Sequence, residues 1–287
     1  MNGPMDAALL SPAATQVLVS LLEARTGQQT DATRVWRIST ALKPLLRELD
    51  MQNFDALVTA LVAPGAAVLG DRVVDALLNQ ETSFFRDALV IESVATAVEQ
   101  LDAAEPNRRP RVWSAGCSGG QELYSLAMTL IDRGNFRCAN LPEMLGTDVS
   151  ASTVTRARQG HFSQFEVQRG LPIRTLMRWF EPTGETWAIR REIARAVKFR
   201  QHNLVDGPMP PGLFDVVMCR NVLLYFPQTM REQVLERLAR SIRPDGLLVL
   251  GAGETVLGLS DAFDPCQQFR GLYRRRTDLP ALAARRA

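Results

Sequence analysis

The chain has 287 residues, of which 46% are apolar, enough for one large domain and one small domain with buried cores. Its 33 lysines and arginines nearly balance 31 aspartates and glutamates, so a formal charge of +2 gives no reason to expect nucleic acid as a partner. No apolar run approaches the roughly 18 residues that cross a bilayer, so we expect no direct membrane insertion.

The cysteines and histidines give no pattern for metal binding. The four cysteines are Cys117, Cys138, Cys219 and Cys266, and they lie far apart with two histidines to assist them. We therefore expect no metal site. Because the sequence starts without a basic segment followed by an apolar one, we expect the protein in the cytoplasm.

Residues 1–80 are predicted to form a small helical domain. Ser11 and Pro12 are typical of a helix start and Gly27 of a helix end, which predicts a helix through Ala13 to Arg25. Apolar residues at helical spacing continue through Val35, Ile38 and Leu42, then Phe54 to Val62, then Asp71 to Leu78, with Pro44 and Pro64 as expected breaks.

Residues 81–110 are predicted to connect this domain to a larger one. Helical periodicity runs from Phe85 to Leu101, and the stretch Glu105 to Pro110 then breaks it, which makes that stretch the expected linker.

Residues 111–276 alternate short apolar strands with amphipathic helices, a pattern typical of an α/β fold whose mostly parallel sheet is covered on both faces. Seven strands are expected, at Arg111–Ala115, Met144–Thr147, Val197–Arg200, Asp215–Cys219, Leu247–Gly251, around Phe269 and at Leu272–Arg275, the last two forming an antiparallel edge. Helices are expected at Gly120–Arg133, Ser150–Gln159 and Gln228–Ile242, the last closed by Pro244-Asp245-Gly246. A small hairpin is expected within 180–200, around 181–189, and a frayed tail over 277–287.

A glycine-rich turn between the first strand and helix of this domain is the strongest local signal. Gly116, Gly119 and Gly120 allow a ligand to approach the backbone closely, although such turns occur in any doubly wound fold. The spacing differs from a dinucleotide fingerprint. Glu122, at the helix start, would repel a pyrophosphate and favour a ribose or a cationic amino group.

Polar residues also follow the next strands, where α/β folds bind ligands. Asp148 is placed to accept ribose hydroxyls, although it also fits a helix cap. Further along, the segment Gln201-His202-Asn203-Leu204 lies where adenine would lie, and Arg220 and Asn221 point into the expected crevice. Tyr225 fits either this site or a packing position.

Taken together and in order, these motifs resemble those of the bacterial chemotaxis receptor methyltransferases, the CheR family, over nearly all of the chain. The motifs are Thr82-Ser83-Phe84-Phe85-Arg86, the turn from Ser114 to Glu122, Thr147-Asp148, Asn203-Leu204, Cys219-Arg220-Asn221-Val222 and Tyr225-Phe226.

The resemblance implies a Rossmann-like class I methyltransferase that uses S-adenosylmethionine, yields S-adenosylhomocysteine and esterifies glutamates on the cytoplasmic helices of chemoreceptors. It implies a monomeric enzyme. Residues expected to bind the cofactor are Gln80, Thr82, Arg86, Gly116, Glu122, Asp148, Asn203, Leu204, Cys219 and Arg220, and those expected to be catalytic are Arg86, Asn221 and Tyr225.

The chain departs from the family pattern at three places. Gln80 stands where relatives usually carry Asn, and Gln121-Glu122-Leu123 stands where they carry Glu-Glu-Pro. The basic helix that relatives present to the receptor is reduced to Lys43 and Arg47 after Arg34 and Arg37. The short insertion at 181–189 favours receptor binding without a peptide tether.

Four other functions remain open from sequence alone. A dehydrogenase would use the glycine turn and Asp148 but leave Thr82–Arg86 and Arg220-Asn221 without a role. A nucleic-acid or amine methyltransferase usually carries an Asn/Asp-Pro-Pro-Tyr motif where this chain has Asn221-Val222-Leu223-Leu224. A non-catalytic cofactor-binding or docking module of a signalling array, or a carboxyl methyltransferase for a different protein, remains compatible with the reduced basic helix.

Overall fold

The computed structural model describes residues 10–30 and 35–277 of the chain. Of the tail expected over 277–287, all but residue 277 lies outside the described residues. The chain divides into two compact units. The smaller comprises residues up to Asn79 together with Tyr225–Pro227, and the larger comprises Gln80–Leu224 and the chain from Gln228 onward.

Four helices build the smaller unit, α1 Pro12–Thr26, α2 Val35–Glu48, α3 Phe54–Leu61 and α4 Ala67–Leu77. The predicted ends of α1 are confirmed. The Ser11 hydroxyl accepts a hydrogen bond from the Ala14 amide at 3.1 Å, and Gly27 ends the helix with a left-handed φ of 73°.

Pro44 does not break the second helix, so that part of the prediction is wrong. Pro44 lies exposed inside α2, whose opposite side buries Leu42, Leu45 and Leu46 in the core of the unit. A proline costs a helix one backbone hydrogen bond, and burial of three leucines on the same two turns outweighs that loss.

A seven-stranded sheet forms the centre of the larger unit, as predicted. Its strands are β1 Arg111–Ala115, β2 Glu143–Asp148, β6 Val197–Gln201, β7 Phe214–Cys219, β8 Ile242–Leu250, β9 Phe263–Pro265 and β10 Leu272–Arg275. Their order is β6-β2-β1-β7-β8-β10-β9, with the first five parallel and β10 antiparallel to both of its neighbours. This is the expected α/β, Rossmann-like arrangement, preceded by a small all-α unit.

Two predictions at the end of the sheet are wrong. Phe269 lies in a turn, and the edge strand is instead β9, six residues earlier. The residues Pro244 to Gly246 do not separate helix from strand, because β8 already begins at Ile242 and continues through them with a register irregularity. Asp245 takes up that irregularity with a left-handed φ of 61°.

Helices flank this sheet, and the first of them starts later than predicted. They are α5 Ala88–Ala104, α6 Gln121–Asp132, α7 Ala151–Gln159, α8 Gln164–Gln168, α9 Ile173–Trp179, α10 Arg191–Ala196 and α11 Gln228–Ser241. Left-handed φ angles at Phe85 (52°) and Asp87 (55°) prevent α5 from starting before Ala88. Ile91 and Val94 of α5 share one buried cluster with Leu126 of α6.

The expected hairpin within 180–200 is confirmed as β4 Phe180–Thr183 and β5 Thr186–Ile189, and a third strand, β3 His161–Ser163, pairs with β5. The sequence did not predict β3, because three residues are too few to show the apolar alternation that indicates a strand. Phe84 packs edge-on against Phe162 and Phe180, with ring centres 4.9 and 5.4 Å apart, and so joins this small sheet to the Thr82–Arg86 motif.

No helix among the described residues is both long and apolar enough to cross a membrane. The four cysteines are unpaired.

Candidate cofactor site

Three parallel strands, β1, β2 and β7, end side by side, and the predicted site residues follow them directly. Gly116 follows β1, Asp148 ends β2, and Arg220 follows β7. The carboxyl ends of neighbouring parallel strands lie on one edge of a sheet, where α/β folds bind ligands.

The glycine turn is held tightly against β2. The amides of Gly116 and Cys117 both donate to the Thr147 carbonyl, at 2.8 and 2.9 Å. Gly116 has a left-handed φ of 82°, and a Cβ atom there would overlap a methyl group of Val222. A residue with a side chain would therefore strain the turn and displace the loop after β7.

Asp148 completes the turn and does not serve as the helix cap. Its carboxylate accepts hydrogen bonds from the amides of Ser118 at 2.9 Å and Ser150 at 3.1 Å. The cap of α7 is Ser150, whose hydroxyl accepts from the Thr153 amide at 3.1 Å. The carboxylate of Asp148 is thus fixed beside the glycine turn.

The buried Arg220 forms an ion pair with the partly buried Glu122. The Arg220 guanidinium donates to Glu122 at 2.7 Å and to Asp87 at 2.5 Å, and its side chain is 3% exposed. Ser114 donates to the other Glu122 oxygen at 2.9 Å. Because two carboxylates share one guanidinium, the cluster carries a net negative charge. Asp87 was not predicted from the sequence, and Ser114 was named there only as the first residue of the turn motif.

The Gln80–Arg86 segment lies against both the turn and this cluster. The Gln80 carbonyl accepts from the Ser118 hydroxyl at 3.0 Å, and the Arg86 carbonyl accepts from Arg220 at 3.3 Å. Thr82 is half-buried in the segment. The Arg86 side chain is exposed and makes one hydrogen bond among the described residues, to the Glu81 carbonyl at 3.3 Å.

The segment after β6 is joined to the end of β2. The His202 amide donates to the Asp148 carbonyl at 2.9 Å, and the Asn203 side-chain oxygen accepts from the Val205 amide at 3.0 Å. Leu204 is buried. Burial, and then the charge of Arg237, lower the pKa of His202, so its imidazole stays neutral near neutral pH.

Two buried cysteines line the same edge. Burial raises the pKa of Cys117 well above its ordinary value, and the charges of Asp148 and Glu122 raise it further. For Cys219, burial and then the charges of Glu254 and Glu122 have the same effect on the pKa. Both thiols are therefore neutral and unreactive.

The loop after β7 is held by a residue that the sequence did not indicate. Glu254 accepts hydrogen bonds from four backbone amides, those of Asn221 (2.7 Å), Val222 (2.9 Å), Leu224 (3.2 Å) and Gly251 (2.8 Å). Asn221 has a left-handed φ of 58°. The carboxylate thus fixes the conformation of the segment that carries Asn221.

Tyr225 belongs to the smaller unit. Its hydroxyl accepts a hydrogen bond from the Asn79 amide group, and its carbonyl accepts from the Gln29 amide at 2.8 Å. It lines a cavity of about 140 Å³ within that unit, together with Arg37. Its expected role near the reactive methyl stays a prediction.

The cluster around Arg220 fits S-adenosylmethionine. The amino-acid end of that molecule carries both an ammonium and a carboxylate, which suit neighbouring Glu122 and Arg220, and Asp148 suits ribose hydroxyls. The Arg220 Nε atom is buried without a hydrogen-bond partner in the described part of the chain. The net negative charge of the cluster also favours a sulfonium cation.

Residues 80–271 match the family described as CheR methyltransferase, SAM binding domain. The chain belongs to the CheR methyltransferase family. This CheR-family chain is therefore an S-adenosylmethionine-dependent methyltransferase.

Relatives of this CheR chain match it along most of their length. Chemotaxis protein methyltransferase Cher2 of Pseudomonas putida is 33% identical and covers 88% of this chain and 93% of its own. The chemotaxis protein methyltransferase of Vibrio parahaemolyticus is 34% identical, covering 85% and 89%. Chemotaxis protein methyltransferase 1 of Pseudomonas aeruginosa is 33% identical, covering 88% and 94%. Among solved structures, the plantazolicin methyltransferase BpumL has 14% identity and a TM-score of 0.38 over 82% of this chain and 60% of that one, a likeness too weak to carry an argument.

Proposed function

We propose that this CheR-family chain transfers the methyl group of S-adenosylmethionine to glutamate γ-carboxylates on the cytoplasmic helices of a chemoreceptor, as a monomer in the cytoplasm. The observation that carries the proposal is the negatively charged cluster of Glu122, Asp87 and Arg220 beside Asp148 and the glycine turn, in a chain whose relatives are chemotaxis methyltransferases. The ten residues expected from the resemblance to bind the cofactor are proposed in that role.

Methyl transfer to a carboxylate requires few catalytic side chains. A glutamate carboxylate is already ionised at neutral pH, so no general base has to remove a proton before it attacks. The neutral thiols of Cys117 and Cys219 do not compete with it as nucleophiles. When bound, S-adenosylmethionine supplies an electrophilic methyl group on a sulfonium.

Arg86 is the better candidate to orient the substrate carboxylate. Arg220 is buried and already bound to Glu122 and Asp87. The exposed guanidinium of Arg86 uses one nitrogen to donate to the Glu81 carbonyl, and among the described residues its other N–H groups have no partner, so they can bind a substrate carboxylate. A guanidinium can hold a carboxylate through two parallel hydrogen bonds. We propose Asn221 and Tyr225 as the other residues near the methyl, Tyr225 as a donor that steers the attacking oxygen.

The proposal is tested by transfer of radiolabelled methyl from S-adenosylmethionine to cytoplasmic fragments of chemoreceptors, followed by mild alkali. Methyl esters release volatile methanol under alkali, and methylated nitrogen does not. Arg86→Ala is expected to lower kcat by about a hundredfold or more when S-adenosylmethionine is saturating. Arg174→Ala, which removes an exposed arginine on α9, is the matched control.

Other outcomes assign a different function. Cofactor binding without transfer to any receptor fragment would indicate the non-catalytic module. Alkali-labile methyl on a protein that is not a receptor would indicate a carboxyl methyltransferase with another substrate. Alkali-stable methyl would contradict ester formation.

A further inference from the structure

A second cavity lies in the larger unit along β1, β2 and β6, and none of the ten residues proposed to bind the cofactor lines it. Its volume is about 340 Å³. We call it the basic groove, defined by its charged lining residues, Arg109, Arg111, Glu143, Arg195, Lys198 and Arg200.

The pairing register explains why these charges point to the same side of the sheet. Lys198 is paired with Leu145, and Arg111 with Glu143. Side chains alternate between the faces of a sheet, so Lys198 and Arg200 share one face while Val197 and Phe199 are buried on the other.

Most of the positive charge in the groove is uncompensated. Its one carboxylate, Glu143, is already engaged by Arg111 at 3.0 Å. Arg109 donates to the neutral carbonyls of Ala139 and Leu141. In the part of the chain that the structure describes, the groove's other three cations make no hydrogen bond or ion pair, and they are exposed. These are Arg195, Lys198 and Arg200.

The strand at the groove also suits an extended ligand. β6 is the edge strand of the sheet, and because its Phe199 carbonyl already accepts from Arg158 at 2.9 Å, a ligand chain would contact β6 through the exposed side chains of Lys198 and Arg200. Lys198 and Arg200 are two residues apart, and carboxylates two residues apart in an extended peptide repeat at the same interval of roughly 7 Å.

A nucleic acid fits the groove less well. Single strands bind by stacking bases on exposed aromatic rings as well as through phosphates. The aromatic ring of the groove, Phe214, is 1% exposed and is covered by the Arg111 guanidinium at 4.5 Å. The groove therefore offers charge without a stacking surface.

We propose that the basic groove binds an extended acidic polypeptide segment of a partner protein, with alternate carboxylates on Lys198 and Arg200 and further charge supplied by Arg109 and Arg195. This binding does not depend on the proposed function, because no residue of the groove belongs to the cofactor site. It gives the enzyme an anchoring point besides its reduced basic helix.

The test is fluorescence anisotropy with the full-length chain and a labelled peptide in which glutamate alternates with threonine. The double variant Lys198→Gln/Arg200→Gln is expected to bind about tenfold more weakly, because each exposed pair contributes modestly. Arg174→Gln/Arg270→Gln, which removes two exposed arginines outside the groove, is expected to bind as the wild type does. Circular dichroism melting verifies that each variant is folded.

A charge-reversed variant sharpens the test. Lys198→Glu/Arg200→Glu is expected to prefer a peptide in which lysine replaces glutamate. The proposal is overturned if the control variant loses as much affinity as the groove variant. Equal binding of a glutamine-threonine peptide, or tighter binding of a single-stranded oligonucleotide of equal charge, also overturns it.

Discussion

Glu254 is the residue whose contacts carry the clearest single-site prediction. Each carboxylate oxygen accepts two backbone amides, so the side chain needs four acceptor positions and no donor. In Glu254→Gln, one oxygen is replaced by an NH₂ group that faces two N–H donors. We expect a loss of about 2 kcal/mol in the free energy of unfolding, measured by denaturant titration, and a lower kcat because the Asn221 loop is released.

Glu185→Gln is the matched control, because it makes the same chemical change at an exposed glutamate in the β4–β5 turn. It is expected to change the free energy of unfolding by less than about 0.5 kcal/mol. Equal stability of the two variants would show that the four amide contacts contribute little.

His202 predicts a pH dependence. Burial lowers its pKa in the folded state, so as the pH falls below the ordinary value of about 6.5 the unfolded chain takes up the proton first. The free energy of unfolding should therefore decrease between about pH 7.5 and pH 5.5, and less steeply in His202→Gln. His161→Gln, which removes the other histidine, is the control. Equal flattening in both variants would contradict the assignment to His202.

Among the site residues, the sequence predicted those that directly follow a strand and missed those whose hydrogen-bond partners are distant in sequence. Asp148, Arg220 and Asn221 are adjacent to apolar strands, so their place at the edge of the sheet follows from local pattern. Glu254 lies 33 residues from the Asn221 amide it binds, and Asp87 lies 133 residues from Arg220. The residues around Glu254 and Asp87 form no local pattern that would predict these long-range contacts.

The β1–turn–α6 element tests how much of the site depends on glycine. Gly116 and Gly134 both have left-handed φ angles, of 82° and 87°, but a Cβ meets Val222 at the first and nothing within 4 Å at the second. Gly134→Ala should cost about 1 kcal/mol of unfolding free energy from backbone strain alone. Gly116→Ala should cost about 3 kcal/mol, because it adds a steric overlap in a packed core.

Calorimetric titration with S-adenosylhomocysteine separates the two effects further. Gly116→Ala should weaken binding at least about tenfold because the turn and the loop after β7 shift together, whereas Gly134→Ala should bind normally. Equal stability losses in the two variants would mean that Val222 moves away at no cost.

Elements were predictable where one local pattern dominated and were mispredicted where packing decided. The central strands are continuous apolar runs, because they are buried on both faces. Pro44 was expected to end a helix, but the leucines on the buried side of α2 keep the helix intact. β3 has three residues and is defined by its pairing with β5, which local sequence does not reveal.

For the molecule as a whole, ligand linkage gives a direct test of the cofactor assignment. S-adenosylhomocysteine at about 100 times its Kd should stabilise the folded state by roughly 2.7 kcal/mol. For a unit of this size that raises the Tm by roughly 5–10 °C. NAD at the same concentration should give no shift, whereas the dehydrogenase alternative requires one. Glu122→Gln should reduce the shift produced by S-adenosylhomocysteine.

The net charge of the chain does not reveal how the charges are distributed over the folded molecule. The value of +2 predicts no global field, but it conceals an acidic cluster at one edge of the sheet and a basic groove along another part of it. Charge segregation depends on which strands are neighbours, and strand order is a property of the folded chain.

The smaller unit is assembled from two stretches of chain, because Tyr225–Pro227 joins a stretch that ends at Asn79, 146 positions before Tyr225. A fragment that stops at Asn79 lacks this tyrosine, and one that begins at Gln80 keeps it without the amides of Asn79 and Gln29. Recombination between relatives, or a designed chimera, therefore cannot exchange the helical unit as a simple cassette. A working graft has to carry matching residues on both sides of the junction.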